Sequence, residues 1–251
     1  VPTMMQMMAD SPLFDQVDLS TVRYAIVGGA PMPIPLINKW HTKGIYIRQG
    51  YGLTEVGPNC YSLHQDDAVR KRGSIGFPNF YFEAKVMDDD GRELGDEQVG
   101  ELWLKSPVVT PGYWRNEEAT RQAITGSWFH TGDMVRRDTE GYYYVVDRKK
   151  NMFISGAENV YPAEVERFLY TNEAIKEVAV VGVPDEKWGE VGKAFVVLKP
   201  GYTRTAGEII EFCKGELAKY KIPKYVQFLD ELPKTEAGKI NLLALKGQAL
   251  E

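Results

Sequence analysis

The run Asp147-Arg148-Lys149-Lys150-Asn151 limits the possible folds of this chain more than any other stretch. Three adjacent cations followed by an amide do not sit inside a packed core. The residues before it, 142–146, are aromatic and β-branched and predict a strand. After it, residues 152–154 predict a second short strand, Gly156 a turn, and Pro162 the start of a helix. The run therefore reads as an exposed joint between two bodies. A solvated basic turn would account for residues 147–151 alone, so the case rests on whether the two flanks differ.

They do. Upstream, residues 2–9 predict a Met-rich helix closed by Asp10-Ser11-Pro12, and residues 22–27 a strand running into Gly28-Gly29-Ala30-Pro31. A Pro-headed helix over 34–43 follows, then a strand over 45–49 ending in Gly50-Tyr51-Gly52. Strand, Gly-rich loop, helix and strand is the rhythm of an open α/β sheet, which binds ligands at the carboxyl ends of its strands. From 74 to 146 the pattern alternates. Strands are predicted at 83–87, 101–104, 129–135 and 142–147, with one helix at 116–124 capped by Asn116. Beyond the joint, helices are predicted at 163–170 and 205–217 and strands at 178–183, 194–198 and 225–229. The second helix opens with a capping box, Thr205 and Glu208, and is expected to bury Ile209, Ile210, Phe212, Cys213 and Leu217.

The fold class predicted is thus mixed α/β and α+β in three parts. They are the remnant of an open α/β sheet (1–73), a small β-barrel-like subdomain (74–147) and, after a hinge at 148–151, a mobile α+β domain (152–251). The last is large enough to hold its own core.

Composition removes several function classes. A net charge of −5 argues against a nucleic-acid surface. Two cysteines, Cys60 and Cys213, form no disulfide framework, so a reducing compartment, the cytoplasm, is the expectation. No apolar run reaches membrane-spanning length, and residues 1–12 lack the basic and apolar regions of a signal peptide. With only His41, His64 and His130, none at ligand spacing, a zinc site is not expected.

Four motifs carry chemistry. In Gln49-Gly50-Tyr51-Gly52-Leu53-Thr54-Glu55 the glycines let a ligand approach the backbone, and Tyr51 offers a face for a base. Thr54 supplies a hydroxyl for phosphate and Glu55 a hard oxygen for Mg²⁺. The competing reading is a turn whose Tyr is core and whose Thr-Glu caps a helix. Gly28-Gly29-Ala30-Pro31 alone is ordinary loop chemistry. Asp133, in His130-Thr131-Gly132-Asp133, can accept from ribose hydroxyls or serve as an Asx-type turn residue. Lys239, in Pro233-Lys234-Thr235-Glu236-Ala237-Gly238-Lys239-Ile240, is by residue type a solvated loop lysine.

Taken together, these strings and the continuation Ser155-Gly156-Ala157-Glu158-Asn159-Val160-Tyr161-Pro162 resemble the adenylate-forming enzymes. That family comprises acyl-CoA synthetases, peptide-synthetase adenylation domains and luciferases. The resemblance implies an acid–thiol ligase that turns a carboxylic acid, here a fatty acid by expectation, and ATP into an acyl-adenylate and passes the acyl group to coenzyme A. It implies nucleotide binding by Gly28, Gly29, Ala30, Pro31, Gly50, Tyr51, Gly52, Leu53, Thr54, Asp133, Arg148 and Lys239. It further implies catalysis by Lys239, Thr54 and Glu55, Mg²⁺ at Glu55, a pivot at Lys150 and a coenzyme A path past Ser155, Gly156 and Ala157. Ala157 departs from a frequent second Gly there. ATP, Mg²⁺, coenzyme A and a small-molecule acid are the implied partners, and a homodimer is left open. The family's Ser/Thr/Gly-rich phosphate loop is not in this sequence. The chain is therefore expected to be a piece that cannot complete adenylation alone. The rivals are a carrier-loading adenylation domain, a luciferase-like oxidase and a non-catalytic nucleotide-binding module.

Overall fold

The computed structural model describes residues 1–236 and 238–249. Contacts divide the chain between Val146 and Asp147 into two compact units.

The first unit opens with α1 (Pro2–Ala9), β1 (Tyr24–Val27), α2 (Ile34–His41), β2 (Tyr46–Leu53), β3 (Gly57–Ser62) and β4 (Phe77–Pro78). The strands form one sheet in the order β1-β2-β3-β4, with β1 and β2 parallel and the other neighbours antiparallel. Both helices bury their apolar faces on one side of it. Met5 and Ala9 from α1 meet Leu36, Ile37 and Trp40 from α2 over Val27 and Ile47. Phe14 meets Trp40 edge-to-face, with ring centres 5.0 Å apart.

The β-rich part contains β5 (Glu83–Met87), β6 (Val99–Lys105), α3 (Glu117–Ala123), β7 (Ile124–Thr125), β8 (Trp128–Arg137) and β9 (Tyr143–Arg148). Its five-stranded sheet runs β5-β6-β8-β7, with β9 also on β8. Alternation along β6 buries Leu102 and Leu104 against Val86, Phe129 and Val135. Asn116 caps α3, its side-chain oxygen accepting from the Ala119 N–H at 3.0 Å.

The second unit has β10 (Phe153–Ser155), β11 (Glu158–Val160), α4 (Pro162–Leu169), β12 (Ile175–Asp185), β13 (Gly189–Leu198), α5 (Ala206–Cys213), β14 (Tyr225–Phe228) and α6 (Leu242–Ala249). Its sheet, β11-β10-β13-β12 with β14 parallel to β13, separates two cores. Val178, Val180, Ala194 and Val196 face α4 and α5, while Ala179, Val181, Phe195 and Val197 face Leu245 of α6. The two side-chain sets alternate along β12 and β13, so this sheet is covered on both faces.

Two predicted elements are corrected. The helix expected over 205–217 ends at Cys213, because Lys214 is extended and Gly215 turns at φ +86°. Ile209 and Cys213 are buried, but Phe212 is exposed and stacks on Phe168. The strand expected over 45–49 instead runs on through Gly50-Tyr51-Gly52, since β3 offers it antiparallel partners. No helix among the described residues is long and apolar enough to cross a membrane.

Candidate functional site

In the first unit, Gly28-Gly29-Ala30-Pro31 leaves the carboxyl end of β1, with Gly29 at φ +83° and residues 29–31 exposed. The parallel register that pairs Val27 with Gln49 brings Gly28 beside Gly50. A Cβ on Gly28 would stand 3.0 Å from the Gly50 carbonyl oxygen, so glycine there serves the approach of one chain to the other.

Gly52, expected to let a ligand approach the backbone, also lies close against the neighbouring strand. A Cβ there would stand 2.4 Å from the Pro58 carbonyl carbon, so the neighbouring strand already requires glycine. The register shifts between Tyr51 and Leu53, and Thr54-Glu55-Val56 closes the β2–β3 hairpin. This excludes the reading in which Thr54 and Glu55 cap a helix. Thr54 is exposed. Glu55 is half-buried, its carboxylate accepting from the Tyr113 hydroxyl at 2.9 Å and its backbone carbonyl from the Thr110 N–H at 2.7 Å.

Tyr51 and Asp133, 82 residues apart, meet directly. The Tyr51 hydroxyl donates to Asp133 Oδ2 at 2.5 Å, in the range of charge-assisted O–H···O⁻ bonds. Asp133 is 3% exposed. It sits where β8 runs on past Gly132. The strand continues with a bulge in which Glu101 faces Met134 and Trp103 faces His130, leaving residues 131–133 opposite Leu102. Thr131 donates its hydroxyl to the Leu102 carbonyl at 2.7 Å, and Gly132 turns at φ +68° with its N–H on the Glu101 carboxylate at 3.1 Å. Burial, and then the Asp133 carboxylate, push the Tyr51 phenol well above its ordinary pKa, so Tyr51 stays a proton donor to Asp133 at neutral pH. The Tyr51 ring is held edge-to-face on Tyr61, ring centres 5.8 Å apart.

His130 stacks on Trp103 with ring centres 3.8 Å apart. Among the described residues no three His, Cys, Asp or Glu side chains gather as a metal centre.

In the second unit, Asp147 is 6% exposed and clips the joint. Its Oδ1 accepts from the Arg148 N–H at 2.6 Å and the Asn151 amide at 2.9 Å, and Oδ2 accepts from the Ala163 N–H at 2.7 Å in the first turn of α4. Arg148 is exposed beside that clip, and Lys150 is exposed within a single 3₁₀ turn, Lys149–Asn151. Asp147 heads the run from which the joint is read, but no bonding role was expected of it. Its signal was an acidic residue followed by backbone N–H groups that no strand could use.

Ser155 is buried at the end of β10, and Gly156-Ala157 forms the two-residue turn into β11. Both turn residues have positive φ, +60° and +71°, as a type I′ hairpin turn requires. Trp188 lies against Gly156, where a Cβ would stand 2.7 Å from Trp188 Cε3.

Lys239 is exposed on a closed loop. Lys234 and Ile240 form a bridge, the Thr235 N–H donates to the Lys239 carbonyl at 2.7 Å, and the Asn241 N–H donates to the Pro233 carbonyl at 2.8 Å. Lys234 pairs with Glu177 at 2.7 Å. Ala237, part of the motif read there, lies outside the described residues.

The family model described as AMP-binding enzyme matches residues 1–114, and the model described as AMP-binding enzyme C-terminal domain matches residues 164–239. A feruloyl-CoA synthase of an Amycolatopsis species is 42% identical over 248 residues, covering 99% of this chain and 50% of its own. A long-chain-fatty-acid–CoA ligase of Mycobacterium tuberculosis is 43% identical over 250 residues, covering 99% and 49%. The o-succinylbenzoate coenzyme A synthetase of Bacillus subtilis, solved with ATP and a magnesium ion, superposes with a TM-score of 0.85 at 35% identity, covering 99% of this chain and 50% of its own. The chain spans about half the length of the curated relatives it matches. By these matches, together with the fold, the chain belongs to the AMP-binding, adenylate-forming enzymes.

Proposed function

We propose that this polypeptide works in an ATP-dependent acid–thiol ligase. A carboxylic acid attacks the α-phosphate of ATP, acyl-adenylate and pyrophosphate form, and the thiol of coenzyme A then displaces AMP. The observation that carries this reading is the Tyr51–Asp133 contact, which joins two separately read nucleotide motifs in one place. The three relatives described above, each a CoA ligase or synthase by name, support the same reaction class.

In this reading Asp133 takes the ribose hydroxyls, and the Tyr51 bond fixes its carboxylate in one orientation before the nucleotide arrives. Residues 28–31, exposed at the end of β1, form the wall beside the base. Thr54, exposed at the hairpin tip, donates to a phosphate oxygen. Mg²⁺ keeps several waters and binds through one or two carboxylates together with substrate phosphates. Glu55 is the single protein carboxylate assigned to it. When bound, the ion would offset charge on the phosphate oxygens.

Lys239 supplies an ammonium where the carboxylate and α-phosphate, both anionic, must meet. One preorganised donor at such a place is worth roughly 3–4 kcal/mol, so Lys239→Ala should slow adenylation by on the order of a hundred- to a thousandfold. Equal loss in the thioester half-reaction would argue against that role. Lys150 serves as the pivot, Arg148 reaches ribose or phosphate, and the Ser155-Gly156-Ala157 turn lines the path of the thiol arm. The two buried, unpaired thiols, Cys60 and Cys213, accord with work in a reducing cytoplasm.

For the acid we put a fatty acyl chain first, supported by the long-chain ligase match. The feruloyl match, at 42% against 43%, makes a hydroxycinnamate the comparison substrate. A kcat/KM for dodecanoate below that for ferulate rejects the fatty-acid assignment.

Calorimetric titration of AMP into the 251-residue chain tests the site itself. Saturable binding should weaken at least tenfold in Asp133→Asn, and unchanged affinity in that variant rejects the assignment. Thioester formation with coenzyme A, set against a phosphopantetheinylated carrier, then decides the acceptor.

A further inference from the structure

One residue of the β2 motif has no part in the site described so far. Gln49 is 5% exposed, and neither of its side-chain partners lies on a neighbouring strand. Its carbonyl oxygen accepts from the Met32 N–H at 2.8 Å, and its amide donates to the Gly73 carbonyl at 3.0 Å. The orientation is unambiguous, because a backbone N–H can only donate and a carbonyl can only accept.

Met32 follows Pro31 directly and is itself 3% exposed. The loop at 28–31 is therefore fixed at both ends by β2, at Gly28 through its approach to the Gly50 carbonyl and at Met32 through Gln49. Gly29, Ala30 and Pro31 remain exposed between these anchors. Two residues further along β2, Tyr51 carries the contact to Asp133. A loop of small residues has no side chains with which to hold itself, so its shape depends on what grips its ends.

We propose that Gln49 is a positioning residue. It holds the 28–31 loop in the conformation that receives the nucleotide and sets that loop in register with the Tyr51–Asp133 pair. The proposal rests on the reading of the loop given under Proposed function.

Two variants test it. Gln49→Met keeps the shape and loses both bonds. Gln49→Glu keeps both while the introduced carboxyl is protonated, its carbonyl accepting from Met32 and its hydroxyl donating to Gly73. Once ionised it only accepts, and it then faces the Gly73 carbonyl oxygen.

AMP affinity relative to wild type should fall at least tenfold in Gln49→Met at every pH. In Gln49→Glu it should be near wild type at low pH and fall at least tenfold as pH rises. Hydrogen exchange of the peptide containing residues 28–33 should speed up at least tenfold in Gln49→Met, with the 57–62 peptide unchanged. A Gln49→Met chain that melts earlier yet binds AMP normally would mark Gln49 as mere core glue and overturn the proposal. So would a pH-independent ratio in Gln49→Glu, or unchanged exchange of the loop. Should wild type itself fail to bind AMP, the nucleotide reading fails, and the exchange result still decides whether Gln49 holds the loop.

Discussion

Two acids, Asp133 buried and Glu166 half-buried, illustrate how position changes what a carboxyl group does. Asp133 receives the Tyr51 hydroxyl on its Oδ2. Tyr51→Phe removes that donor, and loss of a hydrogen bond to a buried carboxylate costs about 1–3 kcal/mol. Urea unfolding of the variant should show a loss in that range, and a loss under about 0.5 kcal/mol would mean the bond adds nothing. Glu166 on α4 behaves differently. Burial raises its carboxyl to about 8, and the Asp147 carboxylate pushes the same way against the opposing Val180 N–H and Arg167. The folded state therefore holds a proton between about 4.5 and about 8 that the unfolded chain releases. Stability from this group is full below the lower value and is lost as pH rises through the upper one. Glu166→Gln keeps an acceptor for the Val180 N–H, bonded at 2.8 Å, and cannot ionise. Thermal melts from pH 5 to pH 9 should find the variant's advantage growing with pH, and a constant difference would rule out this titration. Residue types drew attention to Asp133 but not to its burial. That burial depends on three residues bulging against Leu102, a matter of strand register to which the local string His130-Thr131-Gly132-Asp133 is blind.

Elements closed by local bonds were the legible ones. The Asn116 cap and the Thr205–Glu208 capping box appear where the sequence put them, because both are settled within three or four residues. Strand β3 was not legible, since Gly57-Pro58-Asn59 signals a loop and becomes a strand only with β2 alongside. The end of α5 was missed because helical spacing carries Leu217 past Gly215 into the same core, where it is still partly buried. The free edge of β12 is another feature outside local rules. Two alternate N–H groups there, Val178 and Val180, donate to Tyr170, the C-cap of α4, and to Glu166 within it, at 3.4 and 2.8 Å. Side chains thus seal an edge that would otherwise invite another strand. The β10–β11 turn is the element most open to test. Gly156→Ala adds a methyl at left-handed φ, about 1–2 kcal/mol on conformation alone, and drives it against Trp188. Trp188→Ala removes the obstacle and leaves the conformational cost. In a double-mutant cycle the combined loss should therefore fall short of the sum of the single losses. Strict additivity would show that the indole does not constrain the turn.

At the scale of the whole chain, the expectation of a joint rested on three cations where no core can form and on flanks of different rhythm. What composition could not supply was how each side closes its own interior. Among the described residues, each buried cluster has its members within one unit. The first unit is held by the Met5–Ile47 and Val56–Tyr143 clusters, and the second by the two clusters on either face of its sheet. Asp147, bonded to Arg148, Asn151 and Ala163, belongs with the second. If the cores are energetically separate, damage to one should leave the other intact. Ile209 is fully buried in the α4–α5 core, and Ile→Ala at such a site costs about 2–5 kcal/mol. In Ile209→Ala, hydrogen exchange should accelerate throughout β12, β13 and α4 while peptides from β6 and β8 keep their protection. Equal loss of protection in both sets would mean that one cooperative transition spans the joint. A ligase that swings one unit about residues 147–151 could not then be built on this chain, because a joint that must bend repeatedly cannot also carry the folding free energy of both sides.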